Sequence, residues 1–142
     1  MSTATLLRPF RAHRTALLTT YRSDGLTCVN TPVTIVIDDG RVLFRTWEDS
    51  GEAERLRHHP QADLRPCTLR GEPVGGPIRG DVGLLEGPGS QHAERLLARR
   101  HPMLQRLTVP ISLRLLRYRT LHYELIPRVE SEEFENMEGC PD

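Results

Sequence analysis

The chain of 142 residues contains no lysine, since all nineteen of its basic residues are arginines. That excludes lysine Schiff-base chemistry and any side-chain amine nucleophile. Cysteine is scarce as well. Cys28, Cys67 and Cys140 are odd in number, far apart and form no C-x-x-C pair. They argue against a disulfide framework and a zinc knuckle, and they fit a cytoplasmic protein. Aromatic residues are few, with three Phe, three Tyr and one Trp, and apolar residues make up 37% of the chain. One copy therefore builds a lean core, and a homodimer would bury what it leaves exposed. Nineteen acidic residues balance the nineteen arginines, so no charge excess points to nucleic acid or an anionic membrane as partner. No apolar run approaches the roughly 18 residues of a membrane span. The G-x-S-x-G, H-E-x-x-H, P-loop and G-x-G-x-x-G patterns are all missing.

What is present reads as one mainly β domain over residues 1–126, with short helices. Residues 1–13 form an arm or short helix, and 127–142 an acidic tail expected to be flexible. Alternating apolar residues predict strands over 15–22, 26–38, 41–46, 62–69, 78–86 and 120–126. Ser23-Asp24-Gly25 and Asp39-Gly40 are hairpin turns. Pro32 inside the second strand predicts an edge or a bulge, because proline cannot donate to the ladder. Gly80 and Gly83 read as bends in the fifth strand. A helix over 50–58 ends before Pro60, and a second runs from a Ser90 cap to about Arg100. Two short helices are expected within 102–118. Six strands in this order suggest a small antiparallel barrel.

One stretch carries the chemical interest. Arg41-Val-Leu-Phe-Arg-Thr46 is a strand, and Trp47-Glu-Asp-Ser50-Gly51-Glu52-Ala-Glu54-Arg55 starts a helix. Hydroxyls and backbone N–H groups at a helix start can seat an anion. The same residues can equally form an ordinary cap, with Asp49 and Glu52 as a capping box. Glu52 and Glu54 suit the helix dipole without any ligand. A carboxylate about 4 Å from a phosphate costs roughly 4 kcal/mol at an effective dielectric near 20, which inward-pointing arginines at 45, 55 and 57 could offset. The arginines between 95 and 119 form either an anion-binding surface or a solvated helix face. His58 and His59 are adjacent on a helix and point about 100° apart, so no metal site is expected there. Cys67 sits in a strand as a small core residue.

The order Thr15-Ala-Leu-Leu-Thr-Thr, Asn30-Thr31-Pro32-Val33, Asp39-Gly40-Arg41 to Thr46, Ser50-Gly51 with Arg55-Leu56, and Pro66-Cys67-Thr68 with Arg70-Gly71 resembles the pyridoxamine 5′-phosphate oxidase-like split barrels. Within them it is most similar to the actinobacterial flavin/deazaflavin oxidoreductases that use coenzyme F420. The resemblance spans roughly residues 13–126. It implies a six-stranded antiparallel split β-barrel (the FMN-binding split barrel), a homodimer, and a cofactor, F420 or FMN, in a groove at the dimer interface. The cofactor phosphate would sit on Arg45, Thr46, Ser50 and Gly51, flanked by Glu52 and Arg55. Its ring would lie near Asn30, Thr31, Pro32, Val33, Cys67 and Thr68. The implied activity is hydride transfer between the ring and a small-molecule substrate, with the protein positioning both. The sequence departs from that family at two positions: its members usually carry lysine directly after Ser-Gly and often a basic residue two further on, and this chain has Glu52 and Glu54. The alternative expectation is therefore a non-enzymatic split barrel that has lost the phosphate site and binds another ligand or none.

Overall fold

The computed structural model describes residues 3–24, 26–100 and 120–128. Asp39 and Gly40 both have positive φ, 49° and 79°, the conformation of a two-residue turn whose twist matches the strands it joins. It lays β3 (Arg41–Trp47) against β2 (Cys28–Asp38), with Asp38 opposite Arg41 and Ile35 opposite Phe44. β1 (Thr15–Tyr21) meets β2 through a turn in which the Asp24 carboxylate accepts the N–H groups of Leu26 and Thr27. β4 (Gln61–Cys67) takes the other edge of β1, β5 (Ile78–Leu85) follows it, and β6 (Thr120–Pro127) lies between β5 and β3. The order β1-β2-β3-β6-β5-β4 closes on itself as a six-stranded antiparallel barrel. All six strands expected from the sequence are present, with ends shifted by no more than two residues.

Pro32 neither bulges nor breaks its strand. It sits opposite Leu17 of β1, while pairing with β3 begins only at Ile35. Its missing N–H thus falls where β2 has one neighbour, which is where a sheet tolerates proline.

Alternate residues point into the barrel, so Ala16, Leu18, Val33, Ile35, Val42, Phe44, Ala62, Leu64, Ile78, Val82, Tyr123 and Leu125 share one core. Phe44 and Tyr123, opposite each other on β3 and β6, stack at 5.3 Å. The helix α1 (Thr3–Arg11) adds Leu7 and Phe10 to this core, and α2 (Gly51–His58) adds Leu56. The third helix, α3 (Pro88–Arg100), packs outside on β2, β3 and β6 with Ala93 and Leu97 buried. Its last residue, Arg100, donates to the carbonyls of Arg11 (2.9 Å) and His13 (3.3 Å), tying α3 to the end of α1.

Three expectations need correction. α3 starts at Pro88, so Ser90 is not its cap but lies in its first turn, because proline's fixed φ suits that position. Pro127 closes β6 rather than opening the tail. Arg128 also belongs to the sheet, through its N–H to Arg79 O (2.8 Å) and an ion pair with Asp81 (2.9 Å). Cys28 is disulfide-bonded, against the expectation of a chain without disulfides, whereas Cys67 is a free, buried thiol. The helices expected within 102–118, and the remainder of the tail from 129, fall outside the described residues.

Gly80 acts by having no side chain rather than as a bend. A Cβ there would lie 2.4 Å from Leu125 Cδ2 and 2.8 Å from the carbonyl oxygen of Ile126. Gly80→Ala is therefore expected to cost about 1–3 kcal/mol through overpacking, read as a lower urea midpoint at unchanged slope. An unaltered midpoint would show that β5 and β6 do not close this tightly.

Candidate functional site

The helix α2 caps one end of the barrel, and Ser50 is its N-cap with φ −76° and ψ 158°. The Ser50 hydroxyl accepts from Ala53 N (3.1 Å) and donates to Trp47 O (2.7 Å). Thr46 Oγ1 and Ser50 Oγ lie 3.0 Å apart, a contact in which either hydroxyl can donate. The capping box expected between Asp49 and Glu52 is thus replaced by Ser50 acting alone. That frees Glu52 to turn elsewhere.

Glu52 turns inward. Its carboxyl is approached by the hydroxyls of Thr46 on β3 and Thr31 on β2, and by the Arg55 guanidinium one turn along α2. Burial pushes its pKa up, and these three neighbours pull against that shift. Among the described residues, the buried Oε2 has no hydrogen-bond partner, a state that favours the neutral acid. Tyr123 of β6 feels the same group: burial raises its pKa, Arg57 lowers it and Glu52 raises it. Arg55 folds back over the helix start, with Nη1 2.6 Å from where a Cβ on Gly51 would be. Its Nε donates to Thr20 Oγ1 of β1 at 2.6 Å. Glu54, by contrast, is exposed.

The structure therefore gathers Thr31, Thr46, Ser50, Gly51, Glu52 and Arg55 at one barrel end. The other residues singled out by the sequence lie apart. Val33 is in the core. Asn30, Pro32 and Cys67 belong to the outer face, opposite Thr19, Leu17 and Thr15 of β1. There Thr19 donates to Asn30 Oδ1 (2.6 Å), and the Thr15 hydroxyl reaches the carbonyls of Cys67 and Thr68, each at 3.1 Å. Arg45 is also on the outside, opposite His122, because adjacent strand residues face opposite ways.

Two polar clusters were not legible beforehand. On the outer face, Asp63 is 2% exposed and is held by Arg79 (Nε–Oδ1 2.9 Å) and by the Tyr21 hydroxyl, with His59 packed against the Tyr21 ring at 5.3 Å. Burial first, and Asp63 second, raise the Tyr21 pKa. Under α3, His122 Nδ1 lies 3.0 Å from Ser90 Oγ, while its buried Nε2 has no partner among the described residues. Burial lowers the His122 pKa and keeps the ring neutral. Both clusters depend on strand register, which no local pattern in the chain encodes. Among the described residues, no three His, Cys, Asp or Glu side chains meet to hold a metal ion, and no helix is long and apolar enough to cross a membrane.

A cofactor phosphate can be tested against these atoms. The Ser50 and Thr46 hydroxyls are spent on each other and on α2, Arg45 faces away, and an acidic side chain stands among the remaining donors. As it stands, the seat does not fit a phosphate.

The architecture is that of the pyridoxamine 5′-phosphate oxidase-like split barrels. A candidate pyridoxamine 5′-phosphate oxidase from Listeria innocua superposes with a TM-score of 0.61 at 14% identity, over 89% of this chain and 93% of that one. The heme storage protein HutZ of Vibrio cholerae gives 0.62 at 14%, covering 92% and 93%. A FAD-binding protein from Mesorhizobium loti gives 0.58 at 13%, covering 90% and 89%. No family model and no curated protein matches the chain in sequence. At these identities the likeness establishes the fold.

Two variants probe the clusters. Removing the charge of Asp63 leaves Arg79 without its partner in a mostly buried position, so Asp63→Asn is expected to cost about 3–5 kcal/mol in chemical denaturation. A loss below about 1 kcal/mol would place the pair in effective contact with solvent. For Glu52 the sign follows from the raised folded pKa. The group's contribution to stability is complete below its ordinary value of 4.5 and is lost as pH rises through the folded value. Wild type should therefore lose melting temperature relative to Glu52→Gln between pH 4 and pH 7. Parallel curves would mean that Glu52 is solvated.

Proposed function

We propose that this protein is a homodimeric flavin- or deazaflavin-dependent oxidoreductase, binding F420 or FMN and transferring a hydride to or from a small-molecule substrate. The observation that carries this reading is the fold. A FAD-binding protein and a candidate pyridoxamine 5′-phosphate oxidase share it over about nine-tenths of their length and of this chain. The motif order from Thr15 to Gly71 points the same way. In this reading Asn30, Pro32 and Cys67 on the outer face, with Thr68 after them, flank the ring, and the barrel end at Thr46, Ser50, Gly51 and Arg55 lies where the phosphate belongs.

The inward carboxyl of Glu52 favours a second reading, a non-enzymatic split barrel whose phosphate seat is closed and which takes a different ligand. Titration with FMN and F420, followed by fluorescence, separates the two. The oxidoreductase reading expects saturable binding of one of them below about 10 μM, some 7 kcal/mol at 25 °C. Absence of binding by both at tens of micromolar would rule it out. Glu52→Lys restores the charge that relatives carry and is expected to bind FMN about tenfold tighter or more.

A further inference from the structure

Of the three cysteines in the sequence, Cys28 is disulfide-bonded and Cys67 is a free, buried thiol. Within the chain that leaves Cys140 for Cys28 to bond. The segment that would connect the two starts from a fixed point. Arg128 is tied to β5 through its N–H to Arg79 O (2.8 Å) and its ion pair with Asp81 (2.9 Å). Cys28 opens β2 opposite Tyr21, on the same outer face as Asn30 and Pro32. From β5 to β2 the barrel surface runs over β4 and β1, three strand intervals or about 14 Å. Residues 129–140 reach roughly 40 Å when extended, so they span it with length to spare. The opposite way round is occupied, because α3 packs outside on β2, β3 and β6.

Charge favours the same route. Glu130, Glu132, Glu133, Glu135 and Glu138 precede Cys140, and no basic residue lies among them. Arg65 is the only cation on β1, β2 and β4, in the outward row that it shares with Leu17 and Pro32. Its buried Nε has no hydrogen-bond partner among the described residues, a costly state for an obligate donor. Asp63, the acid two places along β4, is already engaged by Arg79 and Tyr21.

We propose that residues 129–140 are a redox-closed strap: a Cys28–Cys140 disulfide holds the acidic tail across the outer face of β4 and β1, over Arg65 and Asn30, and reduction lets it leave. What the strap excludes is the flavin or deazaflavin ring, a point that rests on the reading above, since Asn30, Pro32 and Cys67 share this face. Closing it turns two thiols into one disulfide. The two electrons and two protons pass to a low-molecular-weight disulfide, which departs as two thiols, and an excess of such thiol reverses the exchange. Where thiols are kept reduced, bonds of this kind are transient and sense the redox state.

The bond is tested first. Full-length protein is equilibrated with oxidised or reduced glutathione, alkylated, and digested with trypsin without reduction. The oxidised sample is expected to yield peptide 23–41 linked to peptide 129–142, and the reduced sample both in alkylated form. Cys28 linked to Cys67 or to a second copy, or alkylated in both samples, overturns the proposal. Cover is then read without any flavin, by phenylglyoxal labelling of Arg65 with the exposed Arg8 of α1 as control. Arg65 should label about fivefold more slowly in oxidised wild type than in reduced protein or in Cys140→Ser, with Arg8 unchanged. Equal labelling of Arg65 in all three overturns the strap. In a parallel titration, FMN or F420 should bind the reduced protein and Cys140→Ser about tenfold tighter than oxidised wild type. A flavin that binds all three equally also overturns it, because the ring is then not what the tail excludes. If neither flavin binds in any state while Arg65 labelling follows the redox state, the oxidoreductase reading falls and the strap stands.

Discussion

Strand β1 is paired along both edges, with β2 on one side and β4 on the other, and that double pairing closes the barrel. Once the ring is closed, every strand residue belongs either to the lumen or to the outer surface, because side chains alternate along a strand. Register then decides which residues can cooperate. Thr20, Thr31 and Thr46 come from three different strands and meet α2 at one end of the lumen. Their chain neighbours Thr19, Asn30 and Arg45 are turned outward. A site imagined as a continuous run of residues is cut in two by this constraint. Asn30 and Thr31 are consecutive in the chain and belong to different surfaces.

The architecture was legible because its signals are local. Asp39-Gly40 supplies two positive φ values, alternation marks each strand, and Ser50 before an acidic turn marks the start of α2. The site was only half legible. The sequence located the strand-to-helix junction and the misplaced acid at position 52, but not the direction of that acid. Glu52 turns inward because Ser50 caps the helix unaided, leaving no N–H for Glu52 to satisfy as a capping-box partner. Which residue caps is a matter of one position, a distinction below the resolution of pattern reading. The Tyr21–Asp63–Arg79 cluster and the Ser90–His122 contact join residues 16 to 58 positions apart. Nothing in the chain announces such meetings.

The absence of lysine takes on a second meaning in the fold. Among the described residues, Arg41 links β3 to Asp38 of β2 and Glu124 of β6, Arg55 links α2 to β1, Arg79 links β5 to β4, Arg100 links α3 to α1, and Arg128 joins Asp81 of β5. A planar guanidinium with five donors can serve two partners in fixed directions, which an ammonium on a flexible stem does less well. These arginines act as ties between elements. The supply of basic residues is therefore a poor measure of the charge available to an anionic ligand, and the neutral total hides how much of it is already engaged.

Against these engaged arginines, Glu52 stands out. For α2 alone an acid in the first turn is favourable, by about 0.3–1 kcal/mol through the helix dipole. For the barrel end, a buried acceptor without a partner costs about 1–3 kcal/mol. The local gain does not cover the tertiary cost, and a rotation of the side chain toward solvent, where Glu54 already points, would keep the first and avoid the second. The Thr31 and Thr46 hydroxyls and the Arg55 guanidinium favour the carboxyl's charged form, while burial, the larger effect, opposes it. Three groups from three elements converge on one acidic side chain and still leave one of its oxygens unmatched. Conflicts of this kind between local preference and global packing concentrate where a protein binds or reacts. In this chain the conflict falls on the first turn of α2.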